Sequence, residues 1–148
     1  MTRRAPSYTF DADLELINAV LTASAAGTVE GFTKVVRLGD AVFSGTVVLD
    51  IDEIELSSND ELYTAIVQGS TVEAFTAGTI QNLAELSLGA TEVRPGAAKD
   101  STVGRHLLPF CNIQAGTVYE WCRAYVAISG SITTGIGLRA FIGKTRAA

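Results

Sequence analysis

Residues 119–142 read YEWCRAYVAISGSITTGIGLRAFI, and their alternation decides the fold. From Tyr119 to Ser129, Cys122, Ala124, Val126 and Ile128 fall on one face, while Tyr119, Trp121, Arg123 and Tyr125 fall on the other. A period of two is a strand's period, here with one aliphatic and one aromatic-cationic side. Ile136, Leu138, Ala140 and Ile142 repeat the inward set against Gly137, Arg139 and Phe141. The Ser129-to-Thr134 connection suits a hairpin, so these two strands are expected to pair.

The same pattern recurs upstream. Thr46 to Ile54 (TVVLDIDEI) sets Val47, Leu49 and Ile51 against Val48, Asp50 and Asp52, an acidic face expected to see water. The SSNDE turn at residues 57–61 precedes a strand from Leu62 to Gln68, which ends at Gly69-Ser70. Thr79 to Leu88 follows, with Ile80, Ala84, Leu86 and Leu88 in step, and then a Gly/Ala/Pro-rich loop from Gly89 to Gly104. His106 to Cys111 and Lys34 to Leu38 supply two shorter strands. Val, Ile and Thr together number 39, and 14 glycines offer turns, which favours many short strands over helices. Seven or eight antiparallel strands with no α/β alternation predict an all-β antiparallel sandwich, jelly-roll-like.

In the N-terminal third, Phe10, Leu14, Ile17 and Leu21 have helical spacing, yet Ala19 to Ala25 also suits an edge strand. The opening TRRAPSYTF, with Arg3, Arg4, Tyr8 and Phe10, has no partner nearby in sequence. It reads as an extended N-terminal arm over residues 1–15, free or ordered by a neighbouring subunit, ahead of one sandwich domain over residues 16–148.

Composition excludes several functions. A chain of 148 residues fits one domain, and its net charge of −5 gives no basic surplus for a phosphate backbone, so nucleic acid is not an expected partner. No signal peptide is read, and no apolar run approaches the length of a membrane span, so no membrane partner is expected. Cys111 and Cys122 lie too far apart for a CxxC motif; they read as two buried free thiols, with a disulfide as the alternative.

Catalytic signals are sparse. His106, in GRHLLPF, is the single histidine, and neither a GxSxG elbow nor a Cys-His signature accompanies it, so it reads as structural. Asp50 and Asp52 lack the loop and glycine of a Ca²⁺ site and read as a solvated face. No glycine-rich phosphate loop occurs, and no catalytic residue, cofactor or metal is expected. Binding remains. Tyr119, Trp121, Arg123 and Tyr125 are residue types that dominate interfaces, although covering by the protein's own loops or inward packing is equally open.

The segments FDADLELINAVLTASAAGTVEG, KVVRLGD, YTAIVQGSTVEAF and LPFCNIQAGTVYEWCRAYVAISGSITTGIGLRAFIG, in that order, cover most of the chain. Their succession resembles the small cement, or decoration, proteins of tailed-bacteriophage capsids. The matching elements are Leu14 to Ser24, Lys34 to Gly39, Ile66 to Ser70, and a C-terminal hairpin from Arg123 to Gly137. The Arg3/Arg4 opening and the Gly89-to-Gly104 loop depart from the pattern. The resemblance implies a jelly roll assembled in the host cytoplasm onto the capsid exterior of a virion, with the major capsid protein as its partner. It also implies a homodimer or homotrimer. Arg3, Arg4, Tyr8, Phe10, Tyr119, Trp121, Arg123 and Tyr125 are then the candidate interface. A carbohydrate- or ligand-binding sandwich, or another phage tail or head-fibre component, is the alternative.

Overall fold

The period-two segments emerge as strands in a computed structural model that describes residues 8–145. In chain order these are β1 (Tyr8–Thr9), β2 (Glu15–Leu21), β3 (Ala25–Ala26), β4 (Thr28–Val29), β5 (Phe32–Thr33), β6 (Val36–Arg37) and β7 (Ser44–Ile54). They continue as β8 (Leu62–Ser70), β9 (Ile80–Gly89), β10 (Gly104–Cys111), β11 (Ile113–Gln114), β12 (Thr117–Val118), β13 (Trp121–Ser129) and β14 (Ile136–Thr145). Single 3₁₀ turns span Ala12–Leu14 and Thr91–Val93.

One sheet is built on β14: β7 and then β10 lie along one side, while β2 and β1 lie end to end along the other. The second is built on β13, with β8 and β9 on one side and β3 and β6 end to end on the other. All these pairings are antiparallel. Leu16, Ile17, Val47, Leu49, Ile51, Leu138, Ala140 and Ile142 of the first sheet share one core with Tyr63, Ala65, Val67, Cys122, Ala124 and Val126 of the second. The protein is therefore an antiparallel β-sandwich, as the alternation predicts.

The strand partners differ from expectation. β13 and β14 do not form a hairpin: β13 pairs along its whole length with β8, and β14 pairs with β7 and β2, in the other sheet. Residues 130–135 are instead a crossover between layers. Alternation tells which side chains face inward but is silent about the neighbouring strand, and a long connection leaves both outcomes open.

Two carboxylates from the β7–β8 loop hold that crossover. Glu55 accepts the backbone N–H groups of Thr133, Thr134 and Gly135 and the Thr134 hydroxyl, and Asp60 accepts the N–H and hydroxyl of Ser131. These donors hold the Glu55 carboxyl down at about 2, against an ordinary value of 4.5. A pKa depressed in the folded state stabilises above the unfolded value and is lost as pH falls through the folded one. Glu55→Gln is therefore expected to lower the melting temperature at neutral pH. The gap to wild type should narrow between pH 5 and pH 2, as thermal melts across this range would reveal; a constant gap would refute the clasp.

The N-terminal segment also joins the sheet earlier than expected. Tyr8 and Thr9 pair with Thr145 and Lys144, and Glu15 pairs with Phe141, so the described part of the arm is tied at both ends to β14. Because Glu15–Leu21 is strand, the helical spacing of Phe10, Leu14, Ile17 and Leu21 is not realised. Of the expected Lys34-to-Leu38 strand, only Val36–Arg37 forms. The register of β9 shifts between Val67 and Gln68, which brings Leu83 against the inner side of Gly69 beside the core and breaks the expected step from Ile80 to Ala84.

Candidate functional surface

Trp121, Arg123 and Tyr125 project from the outer face of β13, half-buried, while Cys122, Ala124 and Val126 fill the core. The stripe thus does not point into the sandwich. Register places Arg37 beside Trp121, Gln68 beside Arg123 and Ile66 beside Tyr125. The Arg37 guanidinium lies 6.0 Å from the Trp121 ring centroid and is ion-paired with Glu120 at 2.6 Å. Arg123 lies 4.4 Å from the centroid of Phe75, a ring that the loop after β8 folds over the sheet. Its Nε donates to Gln68 Oε1 at 2.9 Å.

Tyr119 leaves this group. Its N–H donates to the Asn112 carbonyl at 2.8 Å, and its Cβ lies on the inner side of Gly69, next to Leu83. The alternation breaks because β13 begins only at Trp121, after the chain turns through β11 and β12. The organiser of that corner is Asn112, which is fully buried: Oδ1 accepts from Phe43 N, and Nδ2 donates to the Ala41 and Tyr119 carbonyls. Nothing in the local pattern CNIQ marks it as buried.

Tyr8 and Phe10 lie on the other sheet. The Phe10 ring meets Phe141 edge-on at 5.2 Å, and the Arg139 guanidinium stacks 3.7 Å from the Phe10 centroid. Arg139 also pairs with Glu15 at 2.7 Å. Under this cover Phe141 is 2% exposed while Phe10 is 40% exposed. The candidate residues therefore divide between opposite faces of the sandwich, and Arg3 and Arg4 lie outside the described residues. On the same outer face, Asp50 is held by Arg105 through two bonds of 2.7 and 2.9 Å, which keeps its carboxyl below the usual range. The acidic face is thus half-engaged, with Asp52 exposed and Val48 wholly buried between Phe141 and Leu107.

Two tight hairpins escaped the sequence reading. Glu30-Gly31 and Ala115-Gly116 each take two successive positive φ values, and the flanking pairs Val29↔Phe32 and Gln114↔Thr117 leave two-residue turns. The first presents Phe32 at 78% exposure, the most open of the large apolar side chains described. The signal is an x-Gly dipeptide between two short strand-forming segments, Thr28-Val29 and Phe32-Thr33 in one case and Ile113-Gln114 and Thr117-Val118 in the other.

Among the described residues no three His, Cys, Asp or Glu side chains converge to hold a metal ion. The His106 ring lies 3.3 Å from the Thr102 carbonyl. A cleft of about 350 Å³ between Leu62, Ser87 and the Val93-to-Ala97 segment is braced by Arg94, which donates to the Ser87 and Lys99 carbonyls.

Cys111 and Cys122 are free thiols in different sheets. Cys122 is buried and its thiol is pushed up to about 12 by that burial; Cys111 is only half-buried, and hydrogen bonds from the Ile113 backbone and Ser44 draw its pKa down. Ellman titration of the native protein is expected to find one reactive thiol, Cys111, and two after denaturation. Two fast thiols in the native state would contradict the packing around Cys122.

These features define an antiparallel β-sandwich that carries aromatic and cationic side chains on the outer faces of both sheets, with Trp121, Arg123 and Tyr125 in one stripe on β13. Neither protein-family models nor curated proteins match this sequence.

Proposed function

We propose that this protein is a capsid decoration, or cement, protein that binds the outside of a tailed-phage head and stabilises the expanded shell by bridging capsomers. The observation that carries the reading is the ordered run of segments resembling that family, together with the strand order those segments take. From edge to edge the sheets run β2-β14-β7-β10 and β3/β6-β13-β8-β9, an interleaving that we read as a jelly roll. In this reading the partner is the major capsid protein, the protein pairs with itself as a dimer or trimer, and it resides on the virion exterior after assembly in the host cytoplasm. Each copy need supply only a modest interface. Many copies hold neighbouring capsomers at once, so rupture must break several contacts together.

The Trp121 face is the contact surface in this reading. The Arg37 guanidinium lies 6.0 Å from the Trp121 ring centroid, so the stripe combines arginine with aromatic surface, the residue types that dominate protein interfaces. Trp121→Ala is expected to weaken shell binding by about tenfold or more, since a half-buried interface tryptophan carries a large share of binding energy. Co-sedimentation with expanded shells and analytical ultracentrifugation check it. Unchanged shell binding and unchanged self-association would remove Trp121 from the contact.

A further inference from the structure

The arginines on the outer faces of the two sheets differ in one respect. Arg37, Arg105 and Arg139 each hold a carboxylate, Glu120 at 2.6 Å, Asp50 at 2.7 Å and Glu15 at 2.7 Å. Arg123 holds none among the described residues. Glu120, the acid next to the stripe in sequence, is taken by Arg37, and Glu85 accepts from Asn82 Nδ2 at 3.0 Å. The Arg123 Nη1 and Nη2 atoms have no hydrogen-bond partner among the described residues, yet they are not buried. Burial of the rest of the side chain pushes its pKa down, the direction expected of a cation without a counter-charge.

Covering part of a guanidinium without an acid beside it costs free energy, which contacts from the surroundings offset. Three features supply them. The Phe75 ring covers it at 4.4 Å, and the Tyr125 ring lies 6.0 Å away. Gln68 fixes Nε and is itself oriented by a bond from its Nε2 to Asn82 Oδ1 at 3.3 Å. Phe75, only 7% exposed, takes a φ of 49°, a conformation that non-glycine residues disfavour. Its loop is pinned by the Ser70–Thr79 hydroxyl pair at 2.9 Å and by Thr79 Oγ1 donating to the Thr76 carbonyl at 2.6 Å. The result is a stacked, pre-oriented fork with its two outer nitrogens unused.

We propose that Arg123 is the receptor for an aspartate or glutamate side chain of a partner protein that docks on the outer face of β13. A planar fork with two parallel donors fits a carboxylate in bidentate fashion, and Trp121 and Tyr125 flank it with apolar surface. One unpaired cation matches one monoanion. A phosphate dianion would call on further cations, but neighbouring Arg37 is already neutralised by Glu120. The site stands on this geometry alone; only the identity of its partner, the shell, rests on the proposed function.

The test uses the unmodified protein. Arginine Nε–Hε resonances are followed by NMR during titration with N-acetylglutamate amide at constant ionic strength, with N-acetylglutamine amide and inorganic phosphate as parallel probes. The Arg123 resonance, identified from the spectrum of Arg123→Lys, should move saturably with the carboxylate and not with the amide. It should also move several times further than those of Arg37, Arg105 and Arg139. Arg123 moving no further than these paired arginines, or responding more strongly to phosphate, overturns the carboxylate assignment.

A second arm measures co-sedimentation with expanded shells. Arg123→Gln and Arg123→Lys should both bind about tenfold or more weakly than wild type, because lysine keeps the charge but loses the fork. Equal binding by wild type and Arg123→Gln overturns the docking role of Arg123 and leaves the capsid reading standing. An NMR response from Arg123 without any binding of wild type to shells removes the capsid reading and leaves the carboxylate site.

Discussion

Tyr63→Ala is expected to cost about 3–5 kcal/mol of folding stability, the range for emptying a buried aromatic position. Tyr63 is 0% exposed on the inner face of β8, in register with Ile128 on one side and Leu88 on the other. Its hydroxyl donates to the Glu55 carbonyl at 2.9 Å, so one side chain joins the core to the loop that clasps the crossover. The loss would be a large fraction of the ~5–15 kcal/mol that holds a typical domain folded. Tyr63→Phe separates the two contributions. It keeps the ring and should cost about 1 kcal/mol, the net value of one hydrogen bond. The wild type also carries a pH signature: burial raises the Tyr63 phenol to about 12, so the unfolded chain ionises first and stability falls as pH rises from 10 towards 12. Urea denaturation measures all three effects. A cost below about 1 kcal/mol for Tyr63→Ala would contradict its place in the core.

Gly135→Ala is the second large effect, expected at about 2–3 kcal/mol or more. Gly135 takes a φ of +77°, and a Cβ there would run into the Leu21 carbonyl, with the Leu21 carbonyl carbon only 2.8 Å away. Its N–H donates to Glu55 Oε1 at 3.0 Å and its carbonyl accepts from Glu55 N at 2.9 Å, so any shift away from Leu21 loosens the clasp as well. Gly78→Ala is the matched control. Gly78 has a φ of +87° with nothing within 4 Å, so only the conformational cost of about 1–2 kcal/mol applies. Equal losses at the two positions would show that the approach to Leu21 does not matter.

The inward sets of β13 and β14 were legible because a side-chain period of two survives whatever the neighbouring strand is. Pairing was not legible. The crossover at residues 130–135 depends on Glu55 and Asp60, some 75 positions upstream, and no local pattern carries that information. Asn112 escaped for the same reason, since its three partners come from residues 41, 43 and 119. Alternation carried two residues ahead of Trp121, where β13 begins, misplaces Tyr119. At the surface, Trp121, Arg123 and Tyr125 could be read as one face, but the separation of Tyr8 and Phe10 onto the opposite sheet could not. That separation follows from how β1 pairs with β14, a contact between the two ends of the chain. Phe75, the cover of Arg123, gave no signal at all, because its position depends on a loop conformation instead of a period.

We propose that this sandwich decorates a phage shell. Co-sedimentation of the purified protein with expanded, undecorated shells, against unexpanded shells and a shell-free control, tests it most directly. Saturable binding to expanded shells, with a stoichiometry set by the icosahedral symmetry, is the result expected. Folded protein that stays in the supernatant with its cognate expanded shells would contradict it.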